Sequence, residues 1–216
     1  MKVIRGLLIG LFVLLIFKWN IMAFDKNTVL FDAMSPYEDL TEYALDQNMS
    51  KVANSISSLD GLIAKLNAVL SNKSIHVLEI NVTKMQTAEK KSDYSEIALL
   101  AVDSYKILAD ELDQTTLKVP KQVVILDYVG FRIHALLRQD EIDWHLISET
   151  VDEGKSQWEQ VKRKVTNKGL YDSLNTTITG LEIASTSKNI DMLKFAAQVD
   201  LDLVDLLEGF FEKKSG

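Results

Sequence analysis

Apolar positions recur in steps of three and four along most of this chain, and no stretch alternates in the period of two that a half-buried strand requires. That spacing predicts helices. Leu40, Tyr43 and Ala44 make one apolar face, and Val52, Ile56, Leu59, Ile63, Leu66 and Leu70 make a second. A break at Ser71 and Asn72 precedes Ile75, Leu78, Val82 and Met85, which run to a polar stop over residues 89–92. Ser92 or Asp93 is placed to cap the next helix, with Tyr94, Ile97, Ala101, Tyr105, Leu108 and Leu112 in line. Later stripes are Trp144, Ile147, Val151, Trp158, Val161 and Val165, then residues 170–183, then Met192, Phe195, Val199, Leu203, Leu206 and Phe210. Asn167 and Gly169 read as the end of the helix before them, because both residues tolerate the left-handed conformation.

Residues 120–137 differ from the rest. Val123, Ile125, Leu126, Val129, Ile133, Leu136 and Leu137 cover one side of a helical wheel, and Val124, Tyr128 and Phe131 cover much of the other. A helix without a broad polar face must be surrounded by other elements. The fold class expected is therefore all-α: seven to eight helices in antiparallel hairpins, closed as a compact bundle or stacked as a short α-solenoid. Ser35 followed by Pro36 marks the start of this helical domain over residues 36–216, with residues 25–35 as an irregular linker. A faint repeat of roughly 43 to 49 residues runs through it: Ala44, Ala88, Ala135 and Ala184 near the ends of first helices, and Leu59–Asp60, Val102–Asp103, Val151–Asp152 and Val199–Asp200 within second ones.

Composition bounds the chemistry. The 216 residues carry a net charge of −7, and Lys and Arg are scattered singly or in short runs such as Lys162–Arg163–Lys164. With no basic patch standing out, neither nucleic acid nor an anionic membrane surface against the globular part is an expected partner, and membrane contact is expected only through residues 1–24. The absence of cysteine excludes disulfides, thiolate metal sites and cysteine nucleophiles. At the start, Lys2 and Arg5 precede an apolar run over residues 6–17 that ends at Lys18. Residues 1–24 therefore read as an N-terminal hydrophobic helix, either a signal peptide cleaved near Ala23 or a signal anchor over residues 3–24 in the inner membrane. Either way the domain is expected in the periplasm or another extracytoplasmic space.

Candidate chemistry is sparse. None of His76, His134 and His145 has Glu three residues before it, so the paired motif of carboxylate-bridged metal sites is missing. Glu141, His145 and Glu149 form a stripe opposite the apolar face of their helix, which is the pattern of a solvated surface; the acidic side of the last helix, with Asp200, Asp202, Asp205 and Glu208, reads the same way. No metal or cofactor is assigned. Asp127 stands out, because a carboxylate inside the most apolar helix needs a partner or a proton. Asp127, which directly precedes Tyr128, falls near one line on the wheel with His134 and Arg138, and Phe131 and Gly130 lie beside it. Two readings follow for Asp127, Tyr128, Gly130, His134 and Arg138. One is a polar seam in which Asp127 bonds an Arg, Lys or Tyr of a neighbouring helix and Gly130 lets that helix approach. The other is the lining of a ligand site.

No nucleophile elbow, phosphate loop or zinc-protease motif is present. The expected function is that of a non-enzymatic binding or scaffold protein of a bacterial cell envelope, with a protein partner there. The alternative is a periplasmic helical bundle that holds a small ligand, haem or a metal near Asp127 and His134.

Overall fold

The computed structural model describes residues 25–214; the expected signal peptide or anchor lies outside them. The described residues form eight α-helices and no strand: α1 Lys26–Leu45, α2 Met49–Leu66, α3 Asn72–Glu89, α4 Tyr94–Asp110, α5 Lys121–Leu136, α6 Trp144–Val161, α7 Lys168–Thr186 and α8 Ile190–Lys214.

Every helix but α5 begins where a short polar side chain satisfies backbone N–H groups that the first turn leaves unpaired; α5 opens at Pro120, and the Lys121 N–H donates instead to Gln114 Oε1 of the preceding loop at 2.9 Å. Asp25, Asn48, Ser71, Asp93, Asp143 and Asn167 all accept such bonds, and Asn189 accepts from Met192 N at 3.0 Å. The tight turns inside three of the hairpins share one construction. Gln47, Ser92 and Lys188 take left-handed conformations with φ of 55°, 55° and 54°. The next residue in each case, Asn48, Asp93 or Asn189, returns its N–H to the carbonyl of Tyr43, Ala88 or Ala184 and then caps the following helix. Chain reversal and helix initiation are thus accomplished by two consecutive residues.

Packing closes the helices into two rings. In the first, α1 packs on α2, α2 on α3, α3 on α4, and α4 back on α1; α5 to α8 repeat that order. The return of α4 to α1 and of α8 to α5 makes each half a four-helix bundle. The halves meet through α4 against α5, with α1 also touching α5. As its sequence requires, α5 is enclosed: Val123, Val124, Ile125, Leu126, Tyr128, Val129, Ile133 and Leu136 are all buried.

Two boundaries differ from those read in the sequence. Residues 26–35 are helical rather than a linker, because Leu30, Ala33, Met34, Tyr37, Leu40 and Ala44 form one continuous buried stripe. Pro36 lies inside that helix, next to the exposed Ser35, where water can take the carbonyl its missing N–H leaves free. Asn167 opens α7 instead of ending α6: α6 stops at Val161 and tightens through a 3-10 turn at Lys162–Lys164, and the Asn167 side chain accepts from Leu170 N.

Candidate functional site

The helix α5 touches α4, α6, α8 and α1, and its polar residues sort by which neighbour they face. On the α4 and α6 side, Arg132 donates to Asp103 Oδ1 at 3.0 Å and to Thr150 Oγ1 at 3.0 Å. Tyr128 is buried there, its ring flanked by Lys106 and Arg132 at 5.5 and 5.7 Å from the centroid. Tyr128 therefore belongs to a packed seam and not to a cavity. Gly130 faces α8, where a side chain would collide: an ideal Cβ stands 2.6 Å from Leu201 Cδ2 and 3.3 Å from the Ala197 carbonyl oxygen. Its role is close approach of two helices, as one of the two sequence readings had it.

Asp127, His134 and Arg138 do come together. All three line a cleft of about 570 Å³ between α1, α5 and α8. Along α1 it is walled by Glu38, Glu42 and Asp46, and along α8 by Gln198, Leu201, Asp202 and Asp205. A second cavity of about 400 Å³ shares Glu38, Asp127 and Asp205 and continues to Phe31, Glu208 and Glu212, so the two form one groove running along α1 and α8. The groove exists because Gly130 draws α8 onto α5, while α1 packs chiefly on α4 and only lightly on α5.

Asp127 forms the floor. Tyr105 of α4 donates to its Oδ2 at 3.2 Å, the cross-helix tyrosine partner expected of a polar seam. Burial raises the Asp127 pKa well above the carboxylate range; the nearby charges of Glu38 and Glu208 raise it further, and the Tyr105 bond only partly opposes them. Glu208 is pushed up to about 7 by burial and by Asp205, Glu38 and Glu212. Glu38 is raised by burial and by Glu42, Asp39 and Asp205. These carboxylates sit in one another's field, and no Lys or Arg is in ion-pair range of Glu38, Asp127, Asp205 or Glu208 among the described residues. His134 has its pKa lowered by burial and by Arg138 and Lys194, so its ring is neutral at pH 7, and its Nε2 is buried without a hydrogen-bond partner.

The other sequence candidates lie apart. His145 and Glu149 are exposed and 3.5 Å from each other, a solvated pair. Asp200, read as part of a solvated acidic face, is fully buried with neither carboxylate oxygen partnered. Burial alone lifts its pKa to about 8. Among the described residues no group of three or more His, Asp or Glu side chains is arranged to hold a metal ion.

Sequence reasoning placed Asp127, His134 and Arg138 on one line but missed the acidic walls. Glu38, Glu42 and Asp46 follow one another at steps of four, yet their meeting with Asp202 and Asp205 depends on a ring closure that no local pattern encodes. No protein-family model, curated protein or solved structure matches the chain.

Proposed function

We propose that this chain is an exported, non-enzymatic binding protein of a bacterial cell envelope, and that its binding site is the α1/α5/α8 groove. The observation that carries the reading is the crowding of Glu38, Asp127, Asp205 and Glu208 around one groove without a basic partner for any of them. Carboxylates held in mutual repulsion are relieved by a cation that enters between them, and a concave acidic wall concentrates such ligands. The volume suits a small organic cation or the Lys or Arg side chains of a partner peptide. In the peptide case the groove is where the chain meets its partner protein.

Calorimetric titration of the full chain with spermidine, and separately with a tetralysine peptide, tests this. Saturable binding weakened about tenfold by Asp205→Asn, equivalent to roughly 1.4 kcal/mol, supports the groove. No saturable heat with either probe, or binding indifferent to Asp205→Asn and Glu42→Gln, removes it.

One observation favours a second reading. The neutral, unpartnered Nε2 of His134 on the groove wall has the electronic form of an axial ligand for haem iron. Haemin titration followed at the Soret band decides it: a shift at one equivalent that disappears in His134→Ala favours haem, and no shift dismisses it.

A further inference from the structure

In this antiparallel arrangement the starts of α1, α3, α5 and α7 and the ends of α2, α4, α6 and α8 gather at one end of the molecule. Contacts across the chain confirm it. Lys26 pairs with Glu111 at 3.2 Å, Ser74 donates to Glu111 at 3.1 Å, and Lys214 donates to the Lys164 carbonyl at 3.3 Å. Residues scattered in sequence are thereby collected on one surface.

That surface is basic. Lys73, Lys118, Arg163, Lys164, Lys213 and Lys214 stand on its connections and helix ends, exposed and without a carboxylate partner. Lys26, Lys162 and Lys168 share the end but are neutralised by Glu111, Glu159 and Asp172. Of the acids there, Asp110 is paired with Lys106, while Asp25 and Asp113, which accept bonds from local N–H and hydroxyl groups, stand with Glu212 as three carboxylates against those six cations. The far end mixes signs instead, with Asp46, Glu141 and Asp143 set against Lys90 and Lys91. An 18-residue helix such as α2 is ~27 Å long. Two to three Debye lengths therefore separate the ends at an ionic strength of ~0.1 M, and the overall charge of −7 does not cancel the local field at the basic end.

Two features indicate what this end meets. Asp25 lies on it, so the apolar run of residues 6–17 joins the domain there. On the last turns of α8, beside Lys213 and Lys214, Leu206 is 62% exposed and Phe210 is half-buried. Lysines interleaved with exposed apolar side chains suit the headgroup boundary of a bilayer; a phosphodiester backbone offers nothing to Leu206 and Phe210. We propose that the basic end of the bundle docks on an anionic lipid surface, in addition to any attachment through residues 1–24. The proposal is independent of what the groove binds.

The absence of cysteine makes the test direct. Full-length chain carrying Lys65→Cys at the basic end, or Glu141→Cys at the far end, is labelled with one fluorophore. It is then reconstituted into phosphatidylcholine vesicles, with or without one-third phosphatidylglycerol, both doped with a headgroup-nitroxide lipid. Docking predicts quenching at position 65 at least about twofold stronger in the anionic vesicles at ~0.05 M salt, reverting to the neutral-vesicle value at ~0.5 M. It also predicts no such difference at position 141, and loss of the difference in Lys118→Glu/Arg163→Glu/Lys164→Glu. Equal quenching in both vesicle types at position 65 overturns the proposal, because a tether through residues 1–24 alone gives that result. A salt-sensitive response at both positions overturns it as well. If the labelled chain instead binds a short DNA duplex and ignores the vesicles, the lipid assignment is wrong.

Discussion

The crossing of α5 and α8 at Gly130 allows a prediction with an internal control. In Gly130→Ala the new methyl would lie 2.6 and 2.7 Å from Leu201 Cδ2 and Cγ, against a normal carbon–carbon separation of ~3.5–4.0 Å. Relief requires α8 or the Leu201 side chain to move by about 1 Å, and overpacking of this kind costs roughly 1–3 kcal/mol. Alanine also returns about 0.8–1 kcal/mol of helix propensity. Gly61 in α2 has nothing within 4 Å of its would-be Cβ, so Gly61→Ala collects the propensity gain alone. Subtracting the two results cancels propensity and leaves the steric cost of the crossing. Urea unfolding followed by circular dichroism should therefore show Gly61→Ala more stable than the parent by about 1 kcal/mol, and Gly130→Ala below Gly61→Ala by roughly 1–3 kcal/mol. For a chain this size that gap is roughly 2–12 °C in melting temperature. In a Leu201→Ala background most of the penalty should vanish, leaving only the 3.3 Å approach to the Ala197 carbonyl oxygen. If Gly130→Ala gains as much as Gly61→Ala in the parent chain, the close crossing is not a constraint, and the account of why the groove lies where it does fails with it.

Asp200 has its pKa raised to about 8 in the folded state, against ~3.9 unfolded. The folded protein therefore binds the extra proton, and stability declines as pH rises from about 4 to about 8, by up to ~1.4 kcal/mol per unit. Asp200→Asn should flatten that slope in urea midpoints taken between pH 5 and 8.5; parallel curves for variant and parent would show that the side chain is solvated. Tyr105→Phe deletes the donor to Asp127 and should cost about 1–3 kcal/mol. Chemical denaturation at pH 7 reads this directly, and an unchanged midpoint would mean that water replaces the hydroxyl. Ser92→Gly and Lys188→Gly remove the strain of a Cβ in the left-handed region and should each raise stability by about 1 kcal/mol. A fall in melting temperature for both would count against the turn geometry.

The helices themselves were legible because burial on one face writes its period into the sequence. The enclosed α5 was readable for the opposite reason, since it has no polar face to spare. The start of α1 was misread although Leu30, Ala33, Met34 and Tyr37 carry the right spacing: a serine followed by proline is a stronger local signal than a stripe that continues through it. Asp127 could be singled out by its cost alone, yet its partner Tyr105 lies 22 residues away on another helix and leaves no mark of the pairing. The acidic groove was hidden twice over. Its walls come from α1 and α8, at opposite ends of the helical chain, and each wall in isolation looks like an ordinary solvated face. The basic end was hidden by the same scattering.

The two bundles correspond to each other at about twice the spacing of the hairpin repeat read in the sequence, and what recurs between them is role and size rather than identity. Aligning the capping residues Asp93 with Asn189, and Ser71 with Asn167, sets Ser104 against Asp200 and Asn81 against Thr177. In the first bundle the pair is complete: Asn81 donates to Ser104 Oγ at 3.0 Å, and Ser104 donates to the Leu100 carbonyl at 2.8 Å, so a buried polar pin joins α3 to α4. In the second bundle the pin has become Thr177 and Asp200, and neither oxygen of Asp200 has a partner. The same alignment, with Asp25 matched to Pro120, sets Ser35 against Gly130 and Tyr105 against Leu201. Each bundle thus sets a small residue on its first helix and a large one on its last, and only the tyrosine carries a hydroxyl that reaches across to Asp127. That single difference turns a packing device of the first bundle into the support for the groove floor in the second. The two halves are therefore unequal in kind: the first completes its polar pin and anchors Asp127, leaving the Tyr37 hydroxyl unpartnered, while the second keeps an unpartnered carboxyl in its core and lends α8 to the binding wall.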